Sequence, residues 1–123
     1  MKAMVMRPQA LLYVPQGQNA KPYTDTLEKL VRVRLLCAAD MNATLSALAA
    51  GNSGSDTEAG PEEAFLVLCG CNSAGLNKVL QALRAPGVPP LPLKATLTPT
   101  NGSWTARTLY EEIRREHEAM QGR

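Results

Sequence analysis

The sequence predicts a small α/β domain in which a four-stranded, mainly parallel sheet lies between two layers of helices, a doubly wound three-layer sandwich. Short apolar stretches of strand length alternate along the chain with segments whose apolar residues recur at helical spacing. Repeated strand–helix–strand crossovers are right-handed and build parallel sheets covered on both faces. With 123 residues, of which only 4% are aromatic, we expect one domain over residues 1–123 with an aliphatic core.

Four stretches have the composition of strands. Residues 10–14 (ALLYV) and 64–70 (AFLVLCG) are almost wholly apolar, as strands buried on both faces are. Residues 32–36 (RVRLL) alternate charged and apolar side chains, and residues 88–97 (VPPLPLKATL) contain three prolines. Both of these patterns favour the edge of a sheet. The two apolar strands are therefore expected at the centre, in the flavodoxin-like order 2-1-3-4.

Four helices are predicted between and after these strands. The first covers DTLEKLV at residues 25–31, and the second follows Asp40, whose carboxylate suits a helix N-cap. The third is capped by Asn72 or Ser73 and ends at a Pro-Gly pair. The last begins at about Ser103 and is the longest amphipathic segment of the chain.

Residues 51–63 separate the second helix from the third strand. They are dense in glycine, serine and acidic residues. Such a composition offers little apolar surface to bury. We therefore predict a mobile surface loop without helix or strand.

Charge and hydropathy narrow the choice of compartment and partner. The net charge of +2, with both signs interspersed, gives little support for binding to nucleic acid or to a membrane surface. The first residues lack the apolar core and cleavage site of a secretory signal, and no apolar run has the length of a membrane span. Three cysteines without such a signal suggest reduced thiols. We expect a soluble cytoplasmic protein.

The segment after the fourth strand has the pattern of an anion site. In doubly wound sheets ligands bind beyond the carboxyl ends of the strands. Lys94 ends the fourth extended segment, and the candidate residues that follow it are Thr98, Thr100, Asn101, Ser103, Trp104 and Arg107. With the free N–H groups of the last helix, they could hold a phosphate or a carboxylate. The same residues also suit a helix cap and a turn, so a purely structural role is the competing interpretation.

Cys69 and Cys71 form a second candidate site, because a thiol near a helix N-terminus has a lowered pKa and raised reactivity. A structural role is favoured instead, since cysteine is commonly buried and no histidine is near in sequence. The usual nucleotide, phosphate and zinc motifs are missing from the sequence. We therefore expect no metal site and no cofactor.

The C-terminal stretch KATLTPTNGSWTARTLYEEIRREHEAM, with the earlier LLYV and VLCG strands, resembles a bacterial family of domains of unknown function, number 3783. The residues that carry the resemblance are Lys94, Ala95, Leu97, Thr98, Asn101, Trp104, Leu109, Tyr110, Glu111, Glu112, Glu116 and His117. It implies a bacterial α/β domain, and it supplies no catalytic residue. Residues 51–63 and Cys71 depart from the family pattern.

Three functional hypotheses remain. The first is a non-enzymatic binding or regulatory module that meets a small anion or a protein partner around residues 94–107, or that forms a homodimer. The second is an enzyme or sensor for a phosphate- or carboxylate-bearing small molecule at the same turn. The third is a thiol redox protein that uses Cys69 and Cys71. The sequence identifies no catalytic residue for any of them.

Overall fold

The computed structural model describes residues 8–121 of the chain. Its strands form one sheet in the order β2-β1-β3-β4. They are β1 (Gln9–Tyr13), β2 (Arg32–Leu36), β3 (Phe65–Cys69) and β4 (Lys94–Thr96). The predicted fold class and strand order are therefore confirmed, with the two apolar strands at the centre and the arginine- and proline-bearing segments at the edges.

The helices begin at residues that differ from several of the predicted starts. They are α1 (Lys21–Leu27), α2 (Leu45–Ala49), α3 (Ser73–Ala82) and α4 (Ala106–Gln121), and two 3-10 helices precede α2 (Ala38–Asn42) and α4 (Asn101–Ser103). α1 starts before Asp25 because a proline suits its first turn, and α2 is capped by Thr44, not by Asp40. Asn72 caps α3 as predicted. Within residues 8–121 no helix is long and apolar enough to cross a membrane.

The direction of the strands changes at the centre of the sheet. β1 runs parallel to β2 and β3 runs parallel to β4, but β1 and β3 are antiparallel. The carboxyl ends of β1 and β2 consequently lie at one end of the sheet, and those of β3 and β4 lie at the opposite end. The candidate segments that follow β3 and β4 therefore lie opposite the carboxyl ends of β1 and β2, because the chain enters β3 from the end at which β1 finishes.

Alternate side chains of the central strands pack into two hydrophobic cores, one on each face of the sheet. On one face, β1 and β3 residues pack against α1 and α3, as Leu12 and Leu66 do. On the other face, β1 and β3 residues pack against α2, α4 and the first 3-10 helix, as Leu11 and Phe65 do. This two-sided burial is why both central strands read as continuous apolar runs.

The linker, residues 51–63, has neither helix nor strand, and it is bonded to the domain along its length. The Gly54 N–H donates to Asp40 Oδ1 at 3.0 Å, and the Asp56 N–H donates to the Ala39 carbonyl at 2.9 Å. The Tyr13 hydroxyl donates to the Pro61 carbonyl at 2.8 Å. Mobility of the linker stays a prediction from composition, and these bonds argue against it.

Candidate functional site

Lys94 does not lie beside the N-terminus of α4. It pairs with Leu66 in the sheet and shares the face that α1 and α3 cover. The first turn of α4 packs on the opposite face, where Ala106 is fully buried. The structure therefore does not bring together the cation and the helix N-terminus that the predicted anion site combined.

Lys94 instead lies in the same groove as Arg84, which follows the last turn of α3. The two cations line one groove between α3 and β4, the α3–β4 groove, with a volume of about 480 Å³. The other lining residues are Leu80, Leu83, Val88, Pro90, Leu91 and Pro92. The Lys94 ammonium donates to the Leu91 carbonyl at 2.5 Å. Burial lowers the pKa of Lys94 below its ordinary value, and the positive charge of Arg84 lowers it further.

Arg84 had no motif in the sequence to single it out. It lies just beyond the end of α3 and ten residues before Lys94. The turn between these two residues places both side chains in one groove. The sequence signal that could have found it is the pairing of an edge-strand lysine with a cation just beyond the end of the preceding helix. Neither Arg84 nor Lys94 forms an ion pair with any residue in the described range 8–121.

Asn101 and Thr98 hold the turn after β4 in shape. The Asn101 side chain accepts from the Thr98 N–H at 2.8 Å and donates to the Thr96 carbonyl at 2.9 Å. The Asn101 N–H in turn donates to the Thr98 hydroxyl at 3.1 Å. Because the amide of Asn101 is buried and its bonds stay within the turn, these contacts support the structural interpretation of both residues.

Thr100, Ser103 and Trp104 frame a 3-10 turn before α4, and none of them caps that helix. The cap is Thr105, whose hydroxyl accepts from the Thr108 N–H at 3.2 Å. Thr100 and Ser103 are exposed, whereas Trp104 is half-buried against the core. The cap therefore lies at Thr105, just beyond the stretch 100–103 where it was predicted, because the 3-10 helix occupies that stretch.

Arg107 is engaged by the linker. Its Nη2 lies 3.0 Å from the Asp56 carboxylate and donates to the Ala59 carbonyl at 3.1 Å. The Asp56 pKa lies below its ordinary value, first because the Glu58 N–H donates to the carboxylate and then because Arg107 does. The guanidinium therefore fastens the linker to α4 and is not presented to the α3–β4 groove.

The two predicted thiols point to different cores. Cys69 is fully buried on the α4 face, while Cys71 packs at the edge of the α1–α3 core. Burial raises the pKa of Cys69 to about 12, and burial also raises the pKa of Cys71. A thiol with a raised pKa is mostly protonated at neutral pH and is a poor nucleophile. These contacts support structural roles for both.

We expect maleimide to label the three cysteines of the folded protein in the order of their exposure. Cys37 is exposed and should react fastest, Cys71 is half-buried and should react more slowly, and Cys69 should react only after unfolding. Peptide mass mapping after timed labelling at neutral pH gives the three rates. Faster labelling of Cys71 than of Cys37 would revive the redox hypothesis, and a Cys37→Ser variant controls for the exposed thiol.

A second concavity, the β1–β2 cleft, opens at the carboxyl ends of β1 and β2. It has a volume of about 790 Å³ and lies between these strand ends and residues 59–62 of the linker. Glu62 is the charged residue among its lining residues, and Cys37 contributes the thiol. Within residues 8–121 no group of three or more histidine, cysteine, aspartate or glutamate residues is placed to hold a metal ion.

The family comparison matches the C-terminal part of the chain. The model of a domain of unknown function (DUF3783) matches residues 64–120. This segment, somewhat less than half of the chain, is similar to that family. No curated protein and no solved structure matches the chain.

The DUF3783 segment contains β3, α3, β4 and α4. The residues that line the α3–β4 groove all fall between Leu80 and Lys94, inside this segment. The residues that line the β1–β2 cleft fall between Tyr13 and Glu62, outside it. A binding site that belongs to the DUF3783 segment itself would therefore be the α3–β4 groove and not the β1–β2 cleft.

Proposed function

We propose that this protein is a non-catalytic binding module, and that its ligand is a small molecule with an anionic head and an apolar body held in the α3–β4 groove. The observation that carries the proposal is the convergence of Lys94 and Arg84 on one groove. An enzyme or sensor for the same class of anion is the second candidate, and it uses the same two cations.

The charges of the groove favour an anion. Two like charges that share a groove repel each other, and among residues 8–121 no carboxylate pairs with either of them. One of the three ammonium donors of Lys94 goes to the Leu91 carbonyl, so two are left for a ligand. The planar fork of Arg84 matches the oxygens of a carboxylate or a phosphate.

The walls of the groove favour an apolar body on the ligand. Apart from the two cations, its lining residues are leucine, valine and proline. A volume of about 480 Å³ lies within the range of small-molecule sites, which are mostly apolar with a few polar groups that fix orientation. A short fatty acid or an aromatic carboxylate has this combination of head and body.

The same lining favours binding over catalysis. Among the described residues that line the groove, none carries a carboxylate, hydroxyl, thiol or imidazole. General acid–base catalysis most often uses one of these groups; a lysine also serves, and Lys94 is the lining residue that would do so in the enzyme alternative. Lys94 and Arg84 by themselves supply electrostatic binding.

We expect octanoate to raise the Tm of the protein by roughly 3–6 °C at ten times its Kd, because a ligand that binds only the folded state stabilises it by mass action. Acetate should act more weakly since it lacks the apolar body, and octylamine should not act because its charge has the wrong sign. Differential scanning fluorimetry at neutral pH measures all three.

Charge-removing variants assign the effect to the groove. Lys94→Gln and Arg84→Gln should each abolish most of the octanoate shift, whereas Lys78→Gln, on α3 but outside the groove lining, should keep it. Inorganic phosphate in the same series separates a phosphate-specific site from a carboxylate site. The proposal fails if no anion shifts Tm, or if the shift survives in both groove variants.

A further inference from the structure

The order of elements in the first half of the chain recurs in the second half. The first half consists of β1, α1, β2, a 3-10 helix and α2. The second half follows with β3, α3, β4, a 3-10 helix and α4. α1 and α3 cover the same face of the sheet, and α2 and α4 cover the other. Because β1 and β3 are antiparallel neighbours at the centre, a two-fold axis perpendicular to the sheet would exchange the halves.

The strand registers obey that two-fold axis. Leu11 pairs directly with Val67 where β1 meets β3. Leu11 pairs with Arg34 in β2, and Val67 pairs with Ala95 in β4, so the parallel pairs on the two sides have matching register. The Gln9–Cys69 and Tyr13–Phe65 pairs are likewise exchanged by a rotation about the Leu11–Val67 pair.

The segments before α2 and α4 cross each other on the same axis. Thr44 and Thr105 form an isolated antiparallel bridge. The Leu45 N–H donates to the Trp104 carbonyl at 2.9 Å, and the Ala106 N–H donates to the Ala43 carbonyl at 3.0 Å. The two bonds are mates under the rotation, since each residue of one bond lies 61 positions from its counterpart in the other.

Equivalent side chains make equivalent local bonds. The Thr44 hydroxyl accepts from the N–H three residues on, and so does the Thr105 hydroxyl. An Asp40 oxygen accepts from the Cys37 N–H at 2.9 Å, and the Asn101 oxygen accepts from the N–H three residues before it at 2.8 Å. Asp40 and Asn101 are the buried polar residues of the described chain, and they too lie 61 positions apart.

The DUF3783 segment, residues 64–120, by itself would be an incomplete fold. β3 pairs with β4 on one side, and its other side needs β1. Without the first half, Phe65 and Val67 would lose their packing against the residues of β1 and α2 in the shared core. An unpaired central strand with an uncovered apolar face requires a partner strand, and a second copy of the same unit supplies one through a two-fold interface.

We infer that residues 9–50 are a second, diverged copy of the unit that the DUF3783 segment forms, and that the surface joining the halves is the surface through which one DUF3783 unit binds another. The partner that this surface fits is thus another copy of the unit, which the chain carries in fused form. The inference is independent of the proposed ligand, because the Leu11–Val67 register and the Thr44–Thr105 bridge on which it rests do not involve residues that line the α3–β4 groove.

Cleavage of the linker in the full-length protein tests the inference. A protease recognition sequence inserted between Thr57 and Glu58, both exposed, allows the folded protein to be cut into an N-terminal and a C-terminal half. The cut protein is unfolded in urea, refolded by dilution and examined by native mass spectrometry. The uncut insertion variant is the control, and it should give one monomeric species throughout.

If the halves are equivalent units, refolding should give C-terminal homodimers beside the complex of the two different halves, because each half presents the same kind of surface. The proportion of homodimer should rise when purified C-terminal half is added in excess before refolding. Recovery of only the mixed complex would overturn the inference, since it would show that the halves fit each other but not themselves. Loss of every complex after cleavage would overturn it as well.

Discussion

Replacing Phe65 by alanine is expected to lower the free energy of unfolding by about 3–5 kcal/mol, the range for truncating a large side chain in a packed core. Phe65 is fully buried at the start of β3. Its ring centroid lies 5.6 Å from that of Tyr13 and 5.6 Å from that of Tyr110, and both separations are within the range of favourable aromatic pairs.

Replacing Phe65 should also weaken the attachment of the linker to the domain. Tyr13 donates to the Pro61 carbonyl at 2.8 Å, and Tyr110 donates to the Glu63 carboxylate at 3.1 Å. A cavity between the two tyrosines would therefore loosen the groups that hold residues 61–63. We expect the linker to become more sensitive to proteolysis in Phe65→Ala than in the unaltered protein.

Urea denaturation followed by circular dichroism measures the change in stability. Leu35→Ala is the matched control, because Leu35 also lies in a strand but is 54% exposed at the edge of the sheet. It should cost well under half as much as Phe65→Ala, since little apolar area is removed from the core. Similar losses for the two variants would contradict the central position of Phe65.

Replacing Asp40 by alanine is expected to cost about 2–3 kcal/mol at neutral pH, the scale of losing charge-assisted hydrogen bonds to a buried carboxylate. Asp40 is only 4% exposed. Its oxygens accept from the N–H groups of Cys37 at 2.9 Å and Gly54 at 3.0 Å, and one of them lies 3.7 Å from Arg34 Nη2. The substitution leaves these donors without their acceptor.

The contribution of Asp40 to the stability of the fold depends on pH, and the groups around its carboxylate decide whether that contribution rises or falls with pH. Burial alone would raise its pKa, but the Cys37 and Gly54 N–H groups, with the positive charge of Arg34, bring the pKa below the ordinary value of 3.8. A carboxyl whose pKa is lower in the folded state stabilises the fold fully at pH values above its unfolded pKa. This stabilisation is lost as the pH falls through the folded pKa.

Asp40→Asn separates the charge from the shape, since the amide keeps the volume and one acceptor. The stability difference between the unaltered protein and Asp40→Asn should be constant near neutral pH and should shrink as the pH falls below about 4, as the linkage relation requires. Thermal unfolding from pH 3 to pH 7 checks this. A difference that grows toward low pH would contradict the lowered pKa of Asp40.

The fold was largely predictable because its signals are local. Continuous apolar runs at residues 10–14 and 64–70 can be buried only by helices on both faces, which identified the central strands. Prolines around residues 88–92 identified an edge strand for an equally local reason, since proline cannot donate to a sheet ladder. Asn72 was a recognisable cap because its side chain bonds a backbone N–H three residues away.

The candidate site was less predictable because its parts meet only in three dimensions. Lys94 was identified as a candidate, but which face of the sheet it shares depends on the register of β4 against β3. The turn between α3 and β4 brings Arg84 to the same groove as Lys94. Arg107 does not belong to this site because it binds Asp56, a linker residue 51 positions earlier in the chain. The repeat of residues 9–50 in the second half could not be recognised from the sequence. Equivalent positions make the same backbone hydrogen bonds but carry different side chains, as Asp40 and Asn101 do.

The sequence by itself therefore determined the element types, the central and edge strands, and the absence of recognisable cofactor motifs, since periodicity, proline and glycine act on neighbouring residues. Only the tertiary structure decided the antiparallel step between β1 and β3, because strand direction depends on where a long connection brings the chain back to the sheet. That step places the carboxyl ends of the two halves at opposite ends of the sheet. It also creates the two-fold relation through which residues 9–50 complete the DUF3783 unit.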